Sequence, residues 1–206
     1  MKKRIFLSFA LLAALLLSGC GGTSQTTQAD DSAQDTAQAE GIGTHHAEIV
    51  IKDMGTISVE LDGDAAPITV QNFMDLAESG FYDGLTFHRI INGFMMQGGD
   101  PNGDGTGGSD QTIVGEFNTN GIRNDLSHTR GAISMARASD PDSASSQFFI
   151  VHQDSTYLDG QYACFGYVTD GMDIVDEICE NTPVEDNNGT VLAENQPVIE
   201  RITIID

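Results

Sequence analysis

In the stretch LTFHRIINGFMMQGGD, residues 85–100, one cation, Arg89, stands in a run that is otherwise apolar or uncharged, with His88 beside it and Gln97 further on. Only 9 Lys and Arg stand against 31 Asp and Glu in the 206 residues, so a guanidinium set between Phe87 and Ile90 reads as a specific placement. Regular strand alternation sends Phe87, Arg89 and Ile91 to one face and His88, Ile90 and Asn92 to the other. One reading is a core strand whose arginine snorkels to solvent. The other is an arginine aimed into an apolar cleft, with Phe94, Met95 and Gln97 of the next segment forming its wall. The stretch alone leaves both open.

Other groups that could do chemistry are weaker. Residues 100–110, DPNGDGTGGSD, begin like a calcium loop, with Asp100, Asn102 and Asp104 at alternate positions and Gly105 after them. The closing position holds Gln111 instead of Glu and no helix flanks the segment, so a glycine-rich surface loop is the better reading. His45 and His46 are adjacent, point apart in a strand, and have no Cys or carboxylate cluster at ligand spacing, so no metal is expected there. Ser134, Ser145 and Ser146 make no convincing triad with His88 or His128. Cys164 falls in a strand and Cys179 in a helix; both read as buried thiols, although an exported setting would permit a disulfide.

The elements that must position Arg89 follow from periodicity. Ala47, Ile49, Ile51 and then Ile57, Val59, Leu61 alternate with polar residues, which predicts a hairpin with one buried face. Residues 67–80 carry Val70, Phe73 and Ala77 on one stripe between Pro67 and Gly80, which predicts a helix. Further strands are predicted over residues 85–91, 113–117, 131–138, 147–151, 162–168 and 197–205, and a second helix over 171–180. Many short strands with glycine turns indicate one β-rich domain, a closed barrel or a sandwich.

The formal charge of −22 argues against nucleic acid, whose binding rests on neutralising phosphates, and against anionic headgroups. Lys2, Lys3 and Arg4 precede an apolar run, residues 5–17, that is shorter than the roughly 20 residues a spanning helix needs. The small residues before Cys20 resemble the lipobox of bacterial lipoprotein signals. That resemblance implies a cleaved signal over residues 1–19 and lipidation of Cys20. Residues 20–44 are rich in Gly, Thr, Ser, Gln, Ala and Asp and form a tether with a reach on the order of 25–30 Å. The folded domain, residues 45–206, is then held at the cell membrane on its extracytoplasmic side, since stable anchoring takes about two acyl chains.

Taken in order, FHRIINGFMMQGGD, SMARA, SSQFFI and YLDGQYACFG form one set. Over residues 47–206 the chain resembles the cyclophilin family of peptidyl-prolyl cis-trans isomerases. The resemblance implies a mainly β fold, a closed eight-stranded antiparallel barrel capped by two α-helices, with a peptide groove on its outer face and no cofactor. It makes Arg89 the catalytic arginine and Gln97 its hydrogen-bonding neighbour. Phe94, Met95, Phe149 and Leu158 match the pocket for the proline ring, and His88 and Ala136 match groove positions. Arg137 and Tyr162 stand where animal members have Asn and His, and Tyr157 replaces a tryptophan that contacts cyclosporin, so weakened cyclosporin binding is expected. The implied partners are proline-containing polypeptides, among them exported folding clients, and a monomer is expected. The alternative is a prolyl-peptide-binding chaperone or scaffold without turnover; Arg89 together with Gln97 favours the enzyme. For the anchor, Cys20→Ser is expected to shift the protein from the membrane to the soluble fraction on cell fractionation.

Overall fold

The structure, a computed structural model, describes residues 39–206. The signal segment, Cys20 and the tether up to residue 38 lie outside the described residues. The alternating apolar positions build the first hairpin, β1 (Thr44–Ile51) and β2 (Gly55–Asp62), with Ile49 opposite Ile57 and both fully buried. Six more strands follow: β3 (Thr86–Ile91), β4 (Met95–Asp100), β5 (Ala132–Met135), β6 (Phe148–Val151), β7 (Cys164–Asp170) and β8 (Ile199–Ile204). They join in one antiparallel sheet in the order β3-β4-β6-β5-β7-β2-β1-β8. Helix α1 (Pro67–Glu78) packs on β2 and β8, and helix α2 (Met172–Asn181) on β2, β3 and β4. Aromatic rings fill the core: Phe148 meets Phe73 edge-on at 5.5 Å and Phe87 at 5.9 Å.

Two expectations change. The sheet curls but does not close as a ladder, because its end strands β3 and β8 meet only at their ends, through an isolated bridge between Thr86 and Val198 and the backbone bonds of Ile199 with Leu85 and Gly84 and of Phe87 with Pro197. Pro197 is one reason: its carbonyl accepts the Phe87 amide at 2.9 Å, but it has no N–H to return. The other is the chain between Asp186 and Val191, which takes the rest of the β3 edge through Ile90 N–H to Gly189 O and Val191 N–H to His88 O. The fold is thus a curled half-barrel, not the closed barrel expected. The strand predicted over residues 113–117 is reduced to one bridge, Ile113 to Ala144.

That same segment does something else. Helix α1 begins after Ala66, which has no side-chain acceptor for the first-turn amides. The buried carboxylate of Glu116 supplies it, accepting from Ile68 N–H at 3.1 Å, Thr69 N–H at 2.8 Å and Thr69 Oγ at 2.7 Å. A negative group also suits the positive end of the helix dipole. Glu116→Ala leaves those donors buried and unpaired, and is expected to lower the unfolding free energy by about 1.5–3 kcal/mol in urea titrations.

Candidate functional site

The pairing of β3 with β4 decides where Arg89 points. Phe87 lies opposite Gly98, yet Arg89 lies opposite Gln97, so His88 is an extra residue that bulges out of the ladder. Just before it, the register slips the other way between Thr86 and Phe87. The bulge overturns the alternation read from the sequence: Phe87 and Ile90 turn into the core, while Arg89 and Ile91 turn to the outer face. Beyond the bulge the register is regular. Arg89, Gln97 and Phe149 stand side by side across β3, β4 and β6, and Ile91, Met95 and Val151 form the next row.

Around this row lies a pocket of about 210 Å³ lined by Arg89, Phe94, Met95, Gln97, Ala136, Arg137, Phe149, Leu158 and Tyr162. Met95 and Phe149 are nearly fully buried beneath it, and Tyr162 meets Phe149 edge-on at 5.9 Å. Arg137 is held at one side: its guanidinium lies 4.8 Å from the Tyr162 ring centre and 5.0 Å from that of Phe117, and donates to the carbonyls of Gln161 and Ala138. Tyr157, 64% exposed, stands at the rim with its ring 6.0 Å from Phe94. A second, more polar cavity of about 350 Å³ continues the groove past Gln97 and Ala136 along the 105–109 loop.

His88 is the one named residue that the structure does not bring into this pocket. Being the bulged residue, it lines an adjoining cavity that shares Arg89 and Gln97 with the pocket and also includes Asn102, Asp104 and Asn188, and neither ring nitrogen has a hydrogen-bond partner among the described residues. Burial pushes its pKa down, favouring the neutral ring. Asp100, the candidate calcium ligand, spends its carboxylate on the amides of Asn102, Asp104 and Gly105 and so shapes the glycine loop. Among the described residues no group of His, Cys, Asp or Glu is arranged to hold a metal ion.

The Arg89 guanidinium is oriented by three bonds. Nε donates to Asn188 O at 2.9 Å, Nη2 to Asn188 Oδ1 at 3.3 Å, and Nη1 to Gln97 Oε1 at 3.2 Å. Gln97 passes the polarity on: its amide donates to Gln147 Oε1 at 2.8 Å, and Gln147 donates to Gly107 O at 2.7 Å. Partial burial lowers the Arg89 pKa, but an arginine stays charged in any such setting. Asn188 and Gln147 are the residues that sequence reasoning missed. Gln147 was visible inside the SSQFFI motif. Asn188 had only the turn-like DNNG run around it, and Asp186 holds that turn by accepting the amides of Asn188 and Thr190.

Behind the pocket, the structure places Ser134, His128 and Asp159 in hydrogen-bonding order, which the sequence reading did not foresee. His128 Nδ1 lies 2.9 Å from Asp159 Oδ1 and Nε2 3.0 Å from Ser134 Oγ. Ser134 and His128 are both fully buried, and the imidazole stacks under Phe149 with centroids 6.0 Å apart. No substrate carbonyl can reach that serine, so the set supports the pocket floor. Cys164 and Cys179 are free, buried thiols, both pushed up to about 12 by burial.

Comparison with known proteins points to one family. The family model described as cyclophilin type peptidyl-prolyl cis-trans isomerase/CLD matches residues 46–205. Peptidyl-prolyl cis-trans isomerase B of Bacillus subtilis is 48% identical over 145 residues, 70% of this chain and 92% of that protein. The peptidyl-prolyl cis-trans isomerase-like 1 protein of Rhizopus delemar is 50% identical over 131 residues, 62% of this chain and 78% of that protein. A Cryptosporidium parvum cyclophilin-type isomerase, crystallised in the presence of the dipeptide Ala-Pro, superposes with a TM-score of 0.68 at 32% identity, covering 78% of this chain and 99% of its own. With its curled eight-stranded sheet, its pocket beside an oriented arginine and these relatives, the chain belongs to the cyclophilin-type peptidyl-prolyl cis-trans isomerase family and catalyses cis-trans isomerisation of X-Pro bonds.

Proposed function

We propose that Arg89 accelerates rotation about the X-Pro bond by donating a hydrogen bond to the prolyl nitrogen in the twisted transition state. The bond resists rotation because the nitrogen lone pair is shared with the carbonyl, which sets a barrier of about 18–20 kcal/mol. Twisting returns the lone pair to nitrogen and makes it an acceptor. A donor already aimed there stabilises the transition state more than the ground state. The observation that carries this reading is the fixed guanidinium at the edge of the apolar pocket: three of its N–H groups are tied to Gln97 and Asn188, leaving two of five for a substrate.

The apolar residues do different work. Phe94, Met95, Phe149 and Leu158 hold the ring in both states, which lowers KM without changing kcat. Gln97 and the groove backbone hold the carbonyl side, and Ala136, Arg137 and Tyr162 bound the groove next to it. Within this reading His88 sets the bulge that aims Arg89 and stays a groove position on the side of the cavity it shares with Arg89 and Gln97.

The substrates we propose are proline-containing segments of exported proteins. The support is the sequence of the amino-terminal segment: a basic start, a short apolar run and Cys20 after small residues, then a polar tether. The proposed attachment is lipid on Cys20, which follows small residues after an apolar run shorter than the roughly 20 residues a spanning helix needs. On a prolyl tetrapeptide in a protease-coupled assay, Arg89→Ala is expected to lower kcat/KM by about two to three decades with the circular dichroism spectrum unchanged. Equal activity in the two proteins would remove Arg89 from the mechanism.

A further inference from the structure

Phe94 is a wall of the pocket that packs only at the edge of the apolar cluster of Met95, Phe149 and Leu158. It is half-buried, follows two exposed residues, Asn92 and Gly93, in the turn between β3 and β4, and leans on Tyr157, which is itself largely exposed. Burial therefore does not fix this turn as it fixes Met95. A hydrogen-bonded device from outside the pocket does.

That device is His152, the first residue after β6, 2% exposed and part of no motif singled out in the sequence. Its backbone N–H donates to Phe94 O at 2.8 Å, and its ring Nδ1 accepts the Gly93 amide at 2.9 Å. Gly93 has φ +79°, a left-handed conformation that suits glycine and turns its amide toward the ring. A backbone amide can only donate, so Nδ1 must carry the lone pair. The neutral ring then holds its proton on Nε2, which lies 3.2 Å from Asp176 Oδ1 on α2. Asp176 is fixed in turn by both terminal nitrogens of Arg130, at 2.6 and 2.8 Å, and Arg130 also donates to His152 O at 2.8 Å. Every polar atom of His152 is engaged, and one tautomer alone satisfies them all.

We infer that His152 is a positioning residue for the isomerase reaction: its Nδ1 lone pair clamps the Gly93 turn and so sets Phe94 against the bound proline. The chain of contacts runs from α2 through Asp176 and His152 to the pocket wall. The inference rests on the assignment of Phe94 to the proline pocket. Because the pocket wall binds the ring in ground and transition states alike, loss of the clamp acts on KM and leaves kcat in place.

Two substitutions separate the two ends of the ring. Asn carries its carbonyl oxygen at the δ position and keeps an acceptor for Gly93, but cannot reach Asp176. Gln reaches Asp176 with a donor but has no acceptor at the δ position. In the full chain, His152→Gln is expected to raise KM for a prolyl peptide about two- to tenfold, the worth of one hydrogen bond, with kcat held and faster hydrogen exchange at the Gly93 amide. His152→Asn is expected to keep KM and Gly93 protection near those of the unaltered protein. Equal KM changes in the two variants, or a Gln variant with unaltered KM and Gly93 exchange, would overturn the inference. An unchanged KM in Phe94→Ala would overturn it through the pocket assignment, whatever Gly93 does. Independently of how any variant folds, nitrogen NMR of the unaltered protein should find the His152 proton on Nε2 and a coupling across the bond from Gly93 N–H to Nδ1; a proton on Nδ1 would refute the clamp.

Discussion

The site depends on one irregularity in hydrogen-bond register. A regular β3 would carry Arg89 on the same side as Phe87, which is packed against Phe148 in the core. The extra residue at His88 turns Phe87 inward and Arg89 outward within three positions. The slip that precedes it is made possible by Gly99, whose φ is +79° and where a Cβ would come within 2.6 Å of Ser146 O. The bulge also leaves the buried His88 ring nitrogens with no hydrogen-bond partner among the described residues. Phe87 and Ile90, on either side of the bulge, are both buried in the core.

Once Arg89 faces outward, the rest of the site is a matter of holding groups still. The arginine is tied by Asn188 and Gln97, Gln97 by Gln147, and Gln147 by the 105–107 carbonyls, so each amide has one orientation consistent with the next. Preorganised donors are valuable in catalysis because they need no rearrangement as charge develops. The apolar side is held by buried polar supports of the same kind, His128 beneath Phe149 and His152 behind the Phe94 turn. In a strongly acidic chain, the arginines facing this groove are fixed by carbonyls and amides rather than by carboxylates. Arg89 thereby remains a donor available to a neutral peptide.

Much of this was legible in the residues. The 67–80 stripe of Val70, Phe73 and Ala77 is the buried face of α1, and the alternation from Ala47 to Leu61 is the first hairpin, because both patterns are local and each residue buries itself on a period the backbone imposes. The motifs around Arg89, Gln97, Phe149 and Leu158 carried the family, and the chain brings these residues to one pocket. What was misread is uniformly non-local. The bulge depends on which residue of β4 meets each residue of β3, the open edge depends on Pro197 and on a segment about a hundred residues away, and the α1 cap comes from Glu116.

The amino-acid sequence by itself therefore determined most of the elements, the family and the residues proposed for the reaction, since propensity, periodicity and motif order are properties of neighbours along the chain. Only the tertiary structure decided which way Arg89 faces, that Asn188 orients it, that His88 lies outside the pocket, and that Ser134 and His128 are sealed behind Phe149. Those facts rest on register and burial between segments far apart in sequence, and a one-residue slip between two strands reverses every side chain beyond it.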